Sequence, residues 1–346
     1  MDVSGFIVQL LNGLAGASSL FLVSAGLSLI FGVTRIVNFA HGSFFMLGTY
    51  VAYTLVTQLE PLLGFWLSLL LAPLVIGLLG AVTEMSLMRR IYRAPELFQL
   101  LATFALVLVI KDAVLWLWGP QELLGPRATG LKGSIAILGR QFPQYDLFLI
   151  LIGPVLLALL WLLLRRTRWG TLVRAATQDR TMVAALGVNQ VWLFTSVFAL
   201  GALLAGLGGA LQLPREPANL DMDMNTIGAA FVVVVVGGMG SIPGAFVAAL
   251  LISELKAVCI WLGVVPLFGV NVSFSKLTLV VEFLVMAGVL IWRPWGLLGR
   301  AQAPSRHAGV IERPLKAAGP VFKATVGVLL LLLLAMPWLT ASSPYL

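Results

Sequence analysis

An all-α, polytopic transmembrane helical bundle is the fold class this sequence predicts. It should have about nine to ten hydrophobic segments, some of them broken or re-entrant, with the N-terminus outside. Three observations lead there. The 346 residues are 60% hydrophobic and only 10% charged, with mean hydropathy +1.02. That is more apolar surface than a soluble domain of this size needs, and a bilayer solvates it directly. Apolar runs of spanning length recur along most of the chain, and lysine and arginine gather in alternate loops, the asymmetry that orients polytopic proteins.

The spanning runs are Phe6–Ile30, Val37–Val56, Leu62–Met88, Phe98–Trp118, Tyr145–Leu164, Val191–Leu213, Ala245–Val265, Leu277–Trp292 and Val321–Leu339, at roughly 20 residues per crossing. The opening MDVSGFIVQLLNG lacks a basic n-region and an evident cleavage site, so it reads as the start of the first span, not as a signal peptide. Two segments depart from simple spans. Val37–Val56 begins with the polar, glycine-containing VNFAHGSFFMLG, and the apolar run Ile227–Val236 is short and ends at GGMGSIPG, which carries Gly237, Gly238, Gly240 and Gly244. Half-length helices stopped by glycines predict broken or re-entrant backbone, which survives at membrane depth only when buried in protein or lining a cavity. Gly119–Gln144 predicts a small outer hairpin cap. The expected domains are a transmembrane unit 1–299, a proline-punctuated cytoplasmic linker 300–320 and an additional transmembrane helix 321–346.

With the N-terminus outside, Arg35, the three arginines at 89–93, the five within Arg165–Arg180 and six basic residues across Arg293–Lys323 face the cytoplasm, 15 of the 22 lysines and arginines. Arg127, Lys132, Arg140, Arg215 and Lys276 stay outside. The net charge of +8 is therefore a topological signal and not a nucleic-acid one. Cys259 is the lone cysteine and His307 sits in the linker, so neither a disulfide framework nor a metal site is expected. GGMGSIPG lacks GxGxxG and any βαβ context, and the chain has no GxxxxGK[ST]; no cofactor and no ATPase site are expected in it.

The longest clearly polar, helix-compatible stretch between two apolar ones is Arg165–Val188, RRTRWGTLVRAATQDRTMVAALGV. Leu172, Ala175, Ala176, Met182, Ala185 and Leu186 fall near helical spacing among arginines, which predicts a short amphipathic helix at the membrane surface. A basic segment held at lipid headgroups and a helix docking into a partner's groove both fit. Ionisable residues within spans are Glu84, Lys111, Asp112, Glu254, Lys256 and Glu282. Glu84 lies near the inner end and can snorkel; the others read either as interhelical charge pairs or as an ion pathway. Thr34, Asn38 and His41 form a polar entry to the second span, read as helix capping and interhelical bonding or as groups facing water. Gly201, Ala205, Gly208 and Gly209 have the small-residue spacing that lets helices approach closely.

Gly26–Tyr50 (GLSLIFGVTRIVNFAHGSFFMLGTY), Arg174–Asn189 (RAATQDRTMVAALGVN) and Val234–Ile252 (VVVGGMGSIPGAFVAALLI) resemble, in order, the membrane permease of bacterial ABC importers for branched-chain amino acids, the LivH type. The resemblance covers Phe6 to Gly299, and the tail KATVGVLLLLLLAMPWLTASSPYL resembles the beginning of a LivM-type permease. It implies a bacterial inner-membrane subunit forming half of a translocation pathway, with a LivM-like second permease, two ATPase subunits and a periplasmic binding protein as partners. It also implies that Arg174, Ala175, Ala176, Gln178, Asp179, Met182, Leu186 and Gly187 contact the ATPase, and Thr34, Asn38, His41 and Gly42 are offered as path-lining residues. Urea and short-amide permeases share these motifs. A reading of another class is an ion-coupled secondary transporter using Asp112, Glu254 and Glu282 at broken helices; a pure scaffold is disfavoured by the polar broken segments.

Overall fold

The computed structural model describes residues 3–59, 64–92, 94–267 and 270–299, with Gly327 besides. The chain divides into two compact units, Met1–Ala301 and Gln302–Leu346. The expected linker 300–320 and helix 321–346 lie outside the described residues, Gly327 apart. In the first unit, α1 (Val3–Thr34), α2 (Ala40–Gln58) and α3 (Gly64–Thr83) are followed by a π turn at Glu84–Met88 and a last turn α4 (Arg89–Ile91). Then come α5 (Glu96–Trp118), a hairpin β1 (Ser134–Ile137) and β2 (Arg140–Pro143), and α6 (Gln144–Arg166). The surface pair α7 (Arg168–Gln178) and α8 (Arg180–Ala185) leads into α9 (Gln190–Gln212), α10 (Met222–Gly237) and α11 (Ile242–Leu262). A second hairpin, β3 (Val264–Leu267) and β4 (Val270–Ser273), precedes α12 (Thr278–Trp292). Six helices among the described residues are long and apolar enough to cross a membrane. The fold is a polytopic helical membrane bundle.

Burial sorts the helices into a centre and a periphery. The apolar window of α1 is 78% buried and that of α9 56%, against 17% for both α5 and α6. The centre is built by small residues, which let backbones approach until dispersion and hydrogen bonds hold them without a hydrophobic driving force. Gly201 packs on Ile30 and the Gly26 carbonyl, Gly206 on Ile76, and Gly209 on the Phe45 carbonyl. Ser19 Oγ donates to the Gly208 carbonyl at 3.1 Å and Thr49 Oγ1 to that of Gly209 at 3.0 Å. The peripheral α5 presents Leu97, Leu101, Leu108 and Trp116 outward, apolar groups that acyl chains solvate.

Of two connections, the first is the hairpin expected and the second differs from expectation. Within Gly119–Gln144 the β1–β2 hairpin turns through Leu138 (φ 50°) and Gly139 (φ 81°), a two-residue left-handed turn that matches strand twist. The β3–β4 hairpin takes Val264 and Val265 out of the predicted span Ala245–Val265, because Gly263 at φ 59° ends α11 and the β-branched residues beyond it pair as strand.

Candidate coupling and translocation sites

The predicted single amphipathic helix over Arg165–Val188 is instead two helices meeting at Asp179. Each start is capped by a side chain of the kind helix N-termini require. Thr167 Oγ1 accepts from Gly170 N at 3.0 Å, opening α7, and Asn189 Oδ1 accepts from Trp192 N at 3.1 Å, opening α9. Asp179 Oδ1 accepts from Thr181 N (2.9 Å), Thr181 Oγ1 (2.6 Å) and Met182 N (3.0 Å). The Thr181 hydroxyl first, then the Met182 amide, hold the Asp179 carboxyl below its ordinary pKa, since hydrogen bonds to the charged form favour it. Gly187, at φ 80°, closes α8 as only an unhindered residue does cheaply.

The segment has an inner and an outer face. Val173 and Ala176 of α7 and Val183 of α8 are buried and join the core. Met182 and Leu186 stand 58% and 76% exposed, with Arg174, Gln178, Asp179 and Gly187 also exposed. Of the residues expected to touch a partner, Ala176 is thus an anchor on the body and Ala175 is half-buried against the same core. Arg174 folds back to donate to the Leu164 carbonyl, covering an unpaired acceptor at the end of α6.

The segment rests against the glycine break between α10 and α11. A Cβ built on Gly32 of α1 would lie 3.2 Å from the Gly240 Cα and 3.8 Å from Thr177 Cγ2 of α7. Gly238 (φ 101°) and Gly240 (φ 83°) turn the chain between α10 and α11, and Gly237 and Gly244 touch backbone to backbone across the turn. Ser241 Oγ caps α11, accepting from Gly244 N at 3.1 Å. Beyond α12, Leu297 N and Leu298 N donate to the Val236 and Gly237 carbonyls at 2.8 and 3.1 Å, so the last carbonyls of α10 are met by another strand of the chain.

Thr34, Asn38, His41 and Gly42 do not line an open path. Thr34 ends α1, Arg35 turns left-handed at φ 58°, and residues 35–38 are not helical. Asn38 lies in this connection, accepting from Ala40 N at 3.1 Å, so it shares no helix face with His41. His41 Nε2–H donates to the Val23 carbonyl at 2.9 Å. Val23 precedes Thr34 by eleven residues of α1, about 16 Å of helix rise. The chain therefore climbs back along α1 before α2 starts, a re-entrant course. Thr34, Asn38 and His41 are 5%, 1% and 0% exposed, and a Cβ on Gly42 would overlap the Asp223 carbonyl of α10. His41 and Gly42 plug the bundle where the starts of α2 and α10 meet.

The open space lies above that plug. A cavity of about 420 Å³ runs among α1, the α9–α10 connection, α10 and α11, lined by Asn12, Val23, Phe45, Arg215, Asn225 and Lys256 among others. It sits toward the α1 N-terminus, while the α7–α8 segment sits by the α1 C-terminus. Sequence reading missed it; its faint signal was Gln9 and Asn12 inside the first apolar run.

The ionisable residues separate into pairs. Lys111 binds Asp221 at 3.0 Å, Arg215 binds Asp146 at 3.1 Å, and Lys256 pairs with Glu282. Glu84 does not snorkel: it is fully buried, taking Arg89 Nη2 at 3.0 Å and Thr195 Oγ1 at 2.5 Å. Asp112 is exposed on α5, away from the Glu282 pair, so the three carboxylates of the ion-coupled reading do not converge.

The family model described as branched-chain amino acid transport system / permease component matches residues 9–290. The chain is 27% identical to the high-affinity branched-chain amino acid transport system permease protein BraD of Pseudomonas aeruginosa, over 87% of this chain and 98% of that protein. It is 25% identical to the permease protein LivH of Salmonella typhimurium, over 86% and 96%. A probable branched-chain amino acid transport permease LivH of Methanocaldococcus jannaschii is 27% identical, over 81% and 88%. No solved structure matches the chain. With most of its length inside the matched region and the re-entrant bundle around it, the chain belongs to the branched-chain amino acid transport system permease family.

Proposed function

We propose that this chain forms half of the membrane pathway of an ATP-driven importer for branched-chain, apolar amino acids in a bacterial inner membrane. ATP is hydrolysed by separate subunits that grip α8, a periplasmic binding protein delivers the amino acid at the cavity end, and a second, LivM-like permease completes the pathway. The observation carrying this reading is the arrangement along α1: a polar cavity at one end, a buried plug at His41–Gly42, and an exposed apolar face, Met182 and Leu186, at the other. A site that must open alternately needs a barrier, and a handle whose surroundings differ between nucleotide states, since a contact equal in both shifts nothing. The names of its relatives favour branched-chain amino acids over urea or short amides as cargo. The test is uptake of labelled leucine into proteoliposomes holding this chain with its permease and ATPase partners and the binding protein. Uptake that requires ATP and no ion gradient supports the reading; uptake driven by an ion gradient without ATP overturns it.

A further inference from the structure

The geometry points to the cavity beside α1 as a cargo-binding site in its own right, which holds a zwitterionic amino acid by both charged ends and seats its apolar side chain on the plug. This rests on the transport reading above and adds a site to it. The cavity's volume of about 420 Å³ falls within the roughly 300–1,000 Å³ of small-molecule sites. Its polar groups are divided in kind. Arg215 spends Nε on Asp146 at 3.1 Å, while its Nη1 stands over Gly16, 3.7 Å from where a Cβ there would lie. A guanidinium carries five N–H donors, so one edge is fixed by Asp146 and the other is left for a carboxylate. On the same wall, Gln212 Oε1 is a buried acceptor without a hydrogen-bond partner, and such an atom is costly to leave unmet. An α-ammonium meets it.

Gly16 lines the cavity with only Arg215 Nη1 near its open face, and without a Cβ atom it lets a ligand's backbone lie along α1 with its acid toward Arg215 and its amine toward Gln212. Leu20, Val23, Phe45 and Met222 form the apolar part of the wall. Val23 is the residue whose carbonyl His41 holds, so a side chain seated there presses on the re-entrant start of α2. Recognition of both charges selects an α-amino acid, and the apolar seat selects a branched or long side chain over glycine.

The test is equilibrium binding of labelled L-leucine to the purified permease–ATPase complex in nanodiscs without the binding protein. Competitors are glycine, L-leucinol, which lacks the carboxylate, and 4-methylpentanoate, which lacks the amine. All three should compete at least about tenfold more weakly than leucine. Gly16→Leu and Asn225→Trp, plugs placed from opposite walls, should each weaken leucine at least about tenfold; Asn225 is exposed, so that variant carries the test if Gly16→Leu fails to assemble. Arg215→Gln should bring leucine down to the level of leucinol. The site is overturned if leucine and leucinol compete alike in the unaltered complex, or if plugged complexes bind and transport leucine like the unaltered one. In that last case ATP-dependent uptake survives and the transport reading stands without the site; absence of ATP-dependent amino acid uptake by the unaltered complex sinks the transport reading instead.

Discussion

Gly32 and Gly240 meet backbone to backbone, with a Cβ on Gly32 reaching to 3.2 Å of the Gly240 Cα. That contact joins the C-terminal turn of α1 to the break between α10 and α11, and Thr177 of α7 packs on both. A displacement of the α7–α8 segment would therefore bear on α1, whose other end walls the cavity.

A side chain at Gly32 should break this relay. Gly32→Ile overpacks a contact made by backbone and costs about 1–3 kcal/mol. We expect ATP hydrolysis by the assembled complex to continue but to lose its stimulation by substrate and binding protein, read by comparing ATPase rates with and without cargo. Full stimulation with normal uptake would show that force travels elsewhere.

Asp179 should act as the hydrogen-bond acceptor that caps α8. Asp179→Ala removes the cap of α8, and hydrogen exchange across residues 180–186 should speed up, while Asp179→Asn keeps acceptor geometry and most protection. Because the folded carboxyl titrates below its ordinary value, its stabilising effect is full above the unfolded pKa of about 3.9 and fades as pH falls through the folded one. Exchange protection of α8, corrected for intrinsic rates, should be level from about pH 5 to 8 and fall only below about 4. Protection that drops between pH 7 and 5 would assign the cap to another group.

Glu84 should be a structural clamp. It ties the π turn after α3 to Thr195 of α9 and to Arg89. Arg89 is 37% exposed, so water screens one side of the pair, and Glu84→Ala should cost about 2 kcal/mol, not the larger loss of a fully buried pair. A lowered unfolding temperature in detergent checks this. An unchanged temperature would mean that the network contributes no net stability.

Gly42 should tolerate nothing larger. A Cβ overlaps the Asp223 carbonyl, and Gly42→Val must part α2 from α10, with a loss of about 1–3 kcal/mol or more. The expected outcome is poor membrane yield, measured against Gly228→Val, where nothing lies within 4 Å of an added Cβ. Equal yields would contradict close packing at the plug.

The spans were legible because lipid leaves backbone groups no partner but the helix itself, so each apolar run had one solution. The glycine break was legible for a related reason, as Gly238 and Gly240 need φ values other residues avoid. The split at Asp179 was written in its Asp-Arg-Thr, but the apolar spacing across it suggested one helix. Nothing in the sequence could say that Ala176 faces inward while Met182 faces out, since that depends on what α7 packs against. The cavity was hidden for the same cause: Asn12, Arg215, Asn225 and Lys256 become neighbours only once α1, α10 and α11 are placed, and the partners of Lys111 and Lys256 lie on other elements.

Which side of the membrane the α7–α8 handle occupies, and what grips it, decides between an ATP-driven importer and its rivals. Leu186, 76% exposed, can be replaced by cysteine in a Cys259→Ser background, and its reaction with a membrane-impermeant maleimide followed in intact cells and in inverted vesicles. Labelling confined to inverted vesicles, and suppressed when the ATPase subunits are bound, is the predicted result. Labelling in intact cells, or equal labelling with and without those subunits, would contradict it.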